Sequence, residues 1–133
     1  MALPTFDSPP ENTLGAPFWD GVAVGELRVS RCSSCRRWQW YPDDVGPCCP
    51  GADYEWVPVD GTGSVYAFTT IRRSFLPGAS TAPYTVGLVE LDGVDGVRLV
   101  SNLDGGVDWS IGDRVRVSFE ELERRRHPVF VRE

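Results

Sequence analysis

Lysine is absent from these 133 residues, and all thirteen basic side chains are arginine. A Schiff-base or lysine-nucleophile mechanism is therefore excluded, although a genome-wide codon preference explains the gap better than any function does. Histidine is nearly absent as well. The one copy, His127, precedes a proline close to the last residue, where a solvent-facing or capping role is expected rather than general-base work. Excess positive charge is missing: the formal net charge is −6 and the pI about 4.7, which opposes nucleic-acid binding because phosphate neutralisation needs clustered cations. No apolar run approaches the roughly eighteen residues that span a bilayer. The first six residues carry no basic segment followed by an apolar one, so no signal peptide is expected and a cytoplasmic location is. Nucleophile-elbow and zinc-protease motifs are lacking. Gly61-Thr62-Gly63-Ser64 has neither the lysine nor the helix of a phosphate loop, and is a turn. The chain contains no self-sufficient active site by these tests.

What it does contain is a cluster. All four cysteines fall between positions 32 and 49, and Trp38, Trp40 and Trp56 lie among or just after them. Cys32-Ser33-Ser34-Cys35 has the spacing at which a tight turn points two sulfurs at one metal ion, and a second pair about a dozen residues later closes a tetrahedron. Cys48 and Cys49 are that second pair, but they are adjacent, and neighbouring residues seldom turn both sulfurs one way. A structural zinc held by Cys32, Cys35, Cys48 and Cys49 is the leading reading. The alternatives are a ribbon that packs its thiols as small apolar groups, or a Cys32–Cys35 disulfide. Catalytic zinc would need histidine or carboxylate ligands and an open position.

Along the chain, residues 1–12 are proline-rich and polar, an extended arm. Thr13 is a candidate N-cap for a helix through Phe18, Trp19 and Val22, ended by Gly25. Phe18-Trp19 either packs onto the cysteine knuckle or meets a partner protein. Residues 27–31 form a strand into Cys32, and residues 13–56 make up the helix and ribbon unit. Residues 57–133 then show strand patterning. In the run 64–71, Val65, Ala67 and Ile71 are expected on one face and Tyr66 and Phe68 on the other, a barrel wall with something packed outside it. Residues 72–83 form a loop, in which Arg72-Arg73 is either solvated or placed to hold an anionic group at the barrel mouth. Strands at 84–91 and 97–103 flank a hairpin turn, a connector reaches Gly112, and 114–119 alternates cleanly. A charged segment at 120–127 and a last short strand at 128–132 complete the chain. The expected fold is mainly β: a short helix and zinc ribbon, then a small antiparallel barrel of the OB type.

Several pieces in order carry a family resemblance: Phe18-Trp19, Gly25-Glu26-Leu27, Cys32-x-x-Cys35, Trp40-Tyr41-Pro42, Glu55-Trp56 and Gly61-x-Gly63-x-Val65-x-x-Phe68-Thr69. Val89-Glu90-Leu91, Asn102-Leu103, Ile111-Gly112-x-x-Val115-x-Val117 and Pro128-Val129-Phe130 continue the series. Together, over about residues 17–132, they resemble the zinc-ribbon plus OB-fold family once labelled a domain of unknown function and associated with acyl-CoA metabolism. The resemblance implies a non-catalytic accessory subunit or domain in a hetero-oligomer with a thiolase-fold enzyme. The partner would be a thiolase or a lipid-transfer-type aldolase that trims CoA-linked steroid side chains, with the accessory chain helping to shape the acyl-CoA channel. Docking residues are then Phe18, Trp19, Trp38, Trp40 and Tyr41, and Arg72 and Arg73 lie near the acyl-CoA. The family's second knuckle is Cys-Pro-x-Cys-Gly; here Gly46 stands at its first cysteine and Cys48 falls two residues late, while Arg36 replaces the glycine expected after Cys35. Those departures predict a ribbon that keeps its fold and binds zinc weakly or not at all. An OB-type single-stranded nucleic-acid binder and a rubredoxin-like electron carrier are the other function classes.

Overall fold

A computed structural model describes residues 14–73, 83–122 and 125–133. The arm at 1–12, the Thr13 cap and most of the 72–83 loop lie outside these residues. The order is α1 (Ala16–Ala23), β1 (Leu27–Cys32), β2 (Tyr54–Val59), β3 (Thr62–Ile71), β4 (Tyr84–Leu91), β5 (Arg98–Leu103), β6 (Arg114–Leu122) and β7 (Arg125–Arg132). The helix starts later than residue 13: its N-cap is Gly15, without a side-chain cap bond, and proline stands in its first turn, where a missing N–H costs nothing. Gly21 lets α1 settle on β1, since a Cβ there would lie 2.8 Å from Arg28 side-chain carbons.

β1 and β2 form a two-stranded antiparallel ribbon from Leu27↔Val59 to Cys32↔Tyr54. The other five strands close a barrel in the order β3-β4-β5-β7-β6. Its seam is the parallel contact of β5 with β7, only Asn102↔Val129 and Leu103↔Phe130. One core runs through both parts: Val22, Leu27 and Val29 from the helix and ribbon join Val65, Val89, Leu103, Val115 and Phe130 of the barrel. Trp109, in the connector before β6, is also buried, its indole N–H donating to the Asp104 carbonyl at 3.0 Å.

Sequence expectations for β3, for residues 120–127 and for His127 need correction. In β3 a bulge between Val65 and Ala67 adds one residue, Tyr66, and shifts the alternation by one. Val65 pairs with buried Val89, whereas Ala67 and Ile71 pair with Leu88 and Tyr84, which puts them on the face opposite Val65. Phe68, opposite Gly87, returns to the Val65 side by register. The second correction concerns the charged segment 120–127, whose described residues belong to the paired strands β6 and β7, with Glu120↔His127 and Glu121↔Arg126 facing each other. Opposite charges across an antiparallel ladder stabilise it, and Arg126 Nε lies 3.7 Å from Glu121. His127 is half-buried and meets Trp19 edge-to-face, with centroids 5.7 Å apart, so it is not fully solvent-facing.

The Gly61 backbone carries φ +77°, and a Cβ there would fall 2.3 Å from Val117 Cγ1. Gly61→Ala is expected to cost about 2 kcal/mol from left-handed strain and overpacking, read as a lower denaturation midpoint. A second expectation concerns acid. Arg114, paired with Asp92 across the barrel closure, holds the Asp92 carboxyl below its usual value. A depressed carboxylate stabilises the fold above its unfolded pKa of about 4 and loses that contribution as pH falls through the folded value. Tm measured against pH should therefore fall below about pH 4, and Asp92→Asn should lower Tm at neutral pH while flattening that acid decline.

Candidate metal centre and aromatic groove

Each half of the centre is a turn closed by backbone hydrogen bonds. In the first, the Arg36 N–H donates to the Cys32 carbonyl and the Cys32 N–H to the Arg37 carbonyl, both at 2.9 Å. Arg36 takes the left-handed conformation, φ +62°, that glycine would adopt freely. The arginine is thus accommodated and the turn is kept. In the second half, the Ala52 N–H donates to the Cys49 carbonyl at 3.1 Å and Gly51 has φ +76°. The intervening loop is anchored by Tyr54, whose hydroxyl accepts from the Asp43 N–H at 2.7 Å and donates to the Asp43 carbonyl at 3.0 Å. Asp53 and Ser33 tie the halves together, the Ser33 N–H donating to the Asp53 carbonyl at 2.9 Å. An Arg31–Glu55 ion pair crosses the ribbon beside them.

These turns bring the four sulfurs of Cys32, Cys35, Cys48 and Cys49 within 4.8 Å of one another. A tetrahedron with zinc–sulfur bonds of 2.3 Å has edges of about 3.8 Å, so the cluster has the dimensions of a zinc site. The adjacent Cys48 and Cys49 do converge, and Cys48 takes the place that Gly46 leaves without a thiol. Cys32 is fully buried, Cys49 half-buried, and Cys35 and Cys48 exposed. The sulfurs differ in proton affinity. Hydrogen bonding from the Cys35 backbone N–H holds the Cys32 thiol down to about 6. The Cys35 and Cys48 sulfurs lie 3.1 Å apart, and their shared hydrogen lowers Cys35 and raises Cys48 to about 12. Cys49 is raised, chiefly by its contact with Cys35. Half of the set is thus biased toward thiolate, the form that binds metal. Zinc held by four thiolates supplies cross-linking, and the ribbon has little core of its own to do that work.

Residues 19–55 match the family described as "ChsH2, rubredoxin-like zinc ribbon domain", and residues 56–120 match "ChsH2, C-terminal OB-fold domain". The chain belongs to the ChsH2 zinc-ribbon and OB-fold family. A chain of the "Ltp2-ChsH2(DUF35) aldolase" superposes with a TM-score of 0.78 at 33% identity, over 94% of this chain and 98% of that one. A DUF35 protein of unknown function from Sulfolobus solfataricus shares the fold, with a TM-score of 0.60 at 17% identity over 92% and 87% of the two chains. Among curated proteins, the "Probable enoyl-CoA hydratase alpha subunit" of Thermomonospora curvata is 38% identical over 92 residues, 66% of this chain and 27% of the relative. The "3-oxo-4,17-pregnadiene-20-carboxyl-CoA hydratase alpha subunit" of Mycobacterium tuberculosis is 33% identical over 112 residues, 77% and 32% of the two. The chain spans about a third of the length of these curated relatives.

The remaining residues singled out in the sequence of this ChsH2-family chain separate into three places. Phe18 is buried, with its ring centroid 5.2 Å from those of Trp19 and Trp40, and Trp40 in turn meets Trp56 edge-to-face at 6.2 Å. Tyr41 is 60% exposed, its hydroxyl lying against Gly15. Trp38 is half-buried under the Arg31 guanidinium at 5.2 Å and stands apart from this group. Trp19, Trp40 and Tyr41 form one wall of a groove whose other wall is Leu99 and Val100 of β5. From Val100, which is 68% exposed, the apolar surface continues over Val86, Leu88 and Ala67. Sequence reasoning missed Val100, whose position on the outer face shows only once β5 is paired with β4. Arg72 and Arg73 are exposed and follow directly on the last residue of β3. No helix among the described residues is long and apolar enough to cross a membrane.

Arg36→Gly should relieve left-handed strain of about 1–2 kcal/mol against a glycine entropy cost of about 0.5–1 kcal/mol, giving a small net rise in Tm. Zinc-loaded protein should carry one equivalent of zinc by elemental analysis. Stripping it with a chelator should lower Tm by more than that substitution raises it.

Proposed function

We propose that this chain is a non-catalytic accessory subunit or domain that docks on a thiolase-fold enzyme, a thiolase or a lipid-transfer-type aldolase, and supports its acyl-CoA chemistry. The observation that carries this reading is the near full-length likeness, in both sequence and fold, to a chain of an aldolase named for two components. The steroid acyl-CoA named in the Mycobacterium tuberculosis relative supports a bulky CoA-linked steroid fragment as the partner's substrate. In a reducing compartment such as the cytoplasm the thiols stay available for metal.

The docking surface in this reading is the groove between Trp19, Trp40 and Tyr41 and the β5 wall at Val100. Trp19, Trp40 and Tyr41 are of the residue types that dominate interface centres, where truncation costs most, and Val100 extends their apolar surface. Phe18 supports the groove from beneath, Trp38 contributes at most to its margin, and Arg72 and Arg73 lie on the barrel side for an anionic cofactor moiety. Barrel and ribbon together shape the entrance that the acyl-CoA follows in the partner.

Co-expression with a thiolase-fold aldolase or thiolase from the same organism should give one joint peak in size-exclusion chromatography, with acyl-CoA turnover that disappears when this chain is omitted. Val100→Arg and Tyr41→Ala should each weaken the complex at least tenfold, about 1.4 kcal/mol, with unchanged circular dichroism. Separate peaks with unchanged turnover would sink the proposal.

A further inference from the structure

The four sulfurs of the metal centre are unequal in a way the zinc-ribbon assignment does not require. Cys32 is sealed in the interior and Cys49 is half-covered, whereas Cys35 and Cys48 both face solvent with their sulfurs 3.1 Å apart. They come from opposite knuckles, one following the Cys32 turn and the other preceding the Cys49 turn. Access and proximity decide which thiols an oxidant reaches, and here both select the same two. We infer that Cys35 and Cys48 are an oxidative modification site, at which a hydroperoxide converts the pair to a disulfide and thereby frees the zinc.

The chemistry balances without any further reagent. The Cys35 thiolate attacks one oxygen of hydrogen peroxide, the O–O bond breaks, hydroxide leaves, and Cys35 becomes a sulfenic acid. The Cys48 sulfur, deprotonated as a metal ligand must be, attacks that sulfur, the S–O bond breaks, and a second hydroxide leaves. Two thiolates have lost two electrons, the peroxide has gained two, and the hydroxides take up two protons to become water. Cys32 and Cys49 are then the only thiolates left to the metal, two ligands where a tetrahedral site needs four.

The linkage would cross from one knuckle to the other, so a covalent staple replaces the metal between the same two turns. The oxidised ribbon should therefore keep its strands. A linkage within one knuckle, Cys32–Cys35 or Cys48–Cys49, would leave the halves without a covalent tie. Cys32 is also shielded from peroxide by its burial, while Cys35 is not.

The test uses the full chain, loaded with zinc and titrated with hydrogen peroxide. A chromophoric chelator in solution reads released zinc, and peptide mapping by mass spectrometry reads the linkage. The expected result is one zinc released for each disulfide formed, Cys35 joined to Cys48, and far-ultraviolet circular dichroism retained. A dithiol reductant with added zinc should then restore the starting species. Joining of any other pair, oxidation of a single sulfur to sulfinic acid while zinc stays bound, or a chain that takes up no zinc would overturn the inference. Mapping the chelator-stripped chain in parallel reads the pairing without the metal, and a Cys32 linkage there would overturn it too.

Discussion

The helix and ribbon depend on an aromatic chain of contacts as much as on sulfur. Phe18 lies buried between Trp19 and Trp40, and Trp40 leans edge-on against Trp56 of β2. Aromatic rings at these separations gain more than their buried area alone supplies, and here they join three segments that have few backbone bonds to one another. The helix contributes Phe18, the loop after Cys35 contributes Trp40, and the returning strand contributes Trp56. Elsewhere α1 is held by buried Gly21 and Val22 and by Trp19 against His127 of β7. The cysteine cluster then fixes the far end of the ribbon, where no comparable apolar contact exists. Metal and aromatics thus secure opposite ends of one small unit.

This arrangement also explains how the chain forms a defined surface. The residues that hold the ribbon inward, Phe18 and Trp56, are continuous with those that face outward, Trp19, Trp40 and Tyr41. The groove is therefore the outer edge of a packed core and not an isolated sticky patch. Its second wall belongs to the barrel, because β5 is paired along its length with β4 but meets β7 at only two positions. That short seam leaves the Arg98–Val100 edge of β5 beside the aromatics, with Val100 outward and Leu99 turned into the barrel core.

Much of this was legible in the residues. The strand at Tyr84–Leu91 and its return strand are bounded by glycines and aspartates that only a turn accommodates, and β6 alternates without interruption at its start. Cys32 and Cys35 announce themselves by spacing. Other features were hidden for physical reasons. A bulge leaves the composition of a strand unchanged, so the face reversal at Ala67 follows only from its pairing with Leu88. The charges at 120–127 look like a solvated loop until Glu121 and Arg126 are set opposite each other across two strands. Cys48 and Cys49 look unsuited to one metal because the conformation after Cys49, with Gly51 left-handed, is not written in their adjacency. Trp109 lies in a run of turn residues, and nothing nearby in sequence shows that the end of a barrel will close over it.

β2 begins at Tyr54 inside the ribbon and ends at Val59, with Asp60 and Gly61 the only residues before β3 starts at Thr62. A tether of two residues, one of them locked against Val117, permits no swivel. Ribbon and barrel consequently behave as one rigid wedge, and the angle between the groove's two walls is set before any partner arrives. A protein that fits this wedge is selected by shape in a single step, and it bears no entropic penalty for aligning two loosely strung modules.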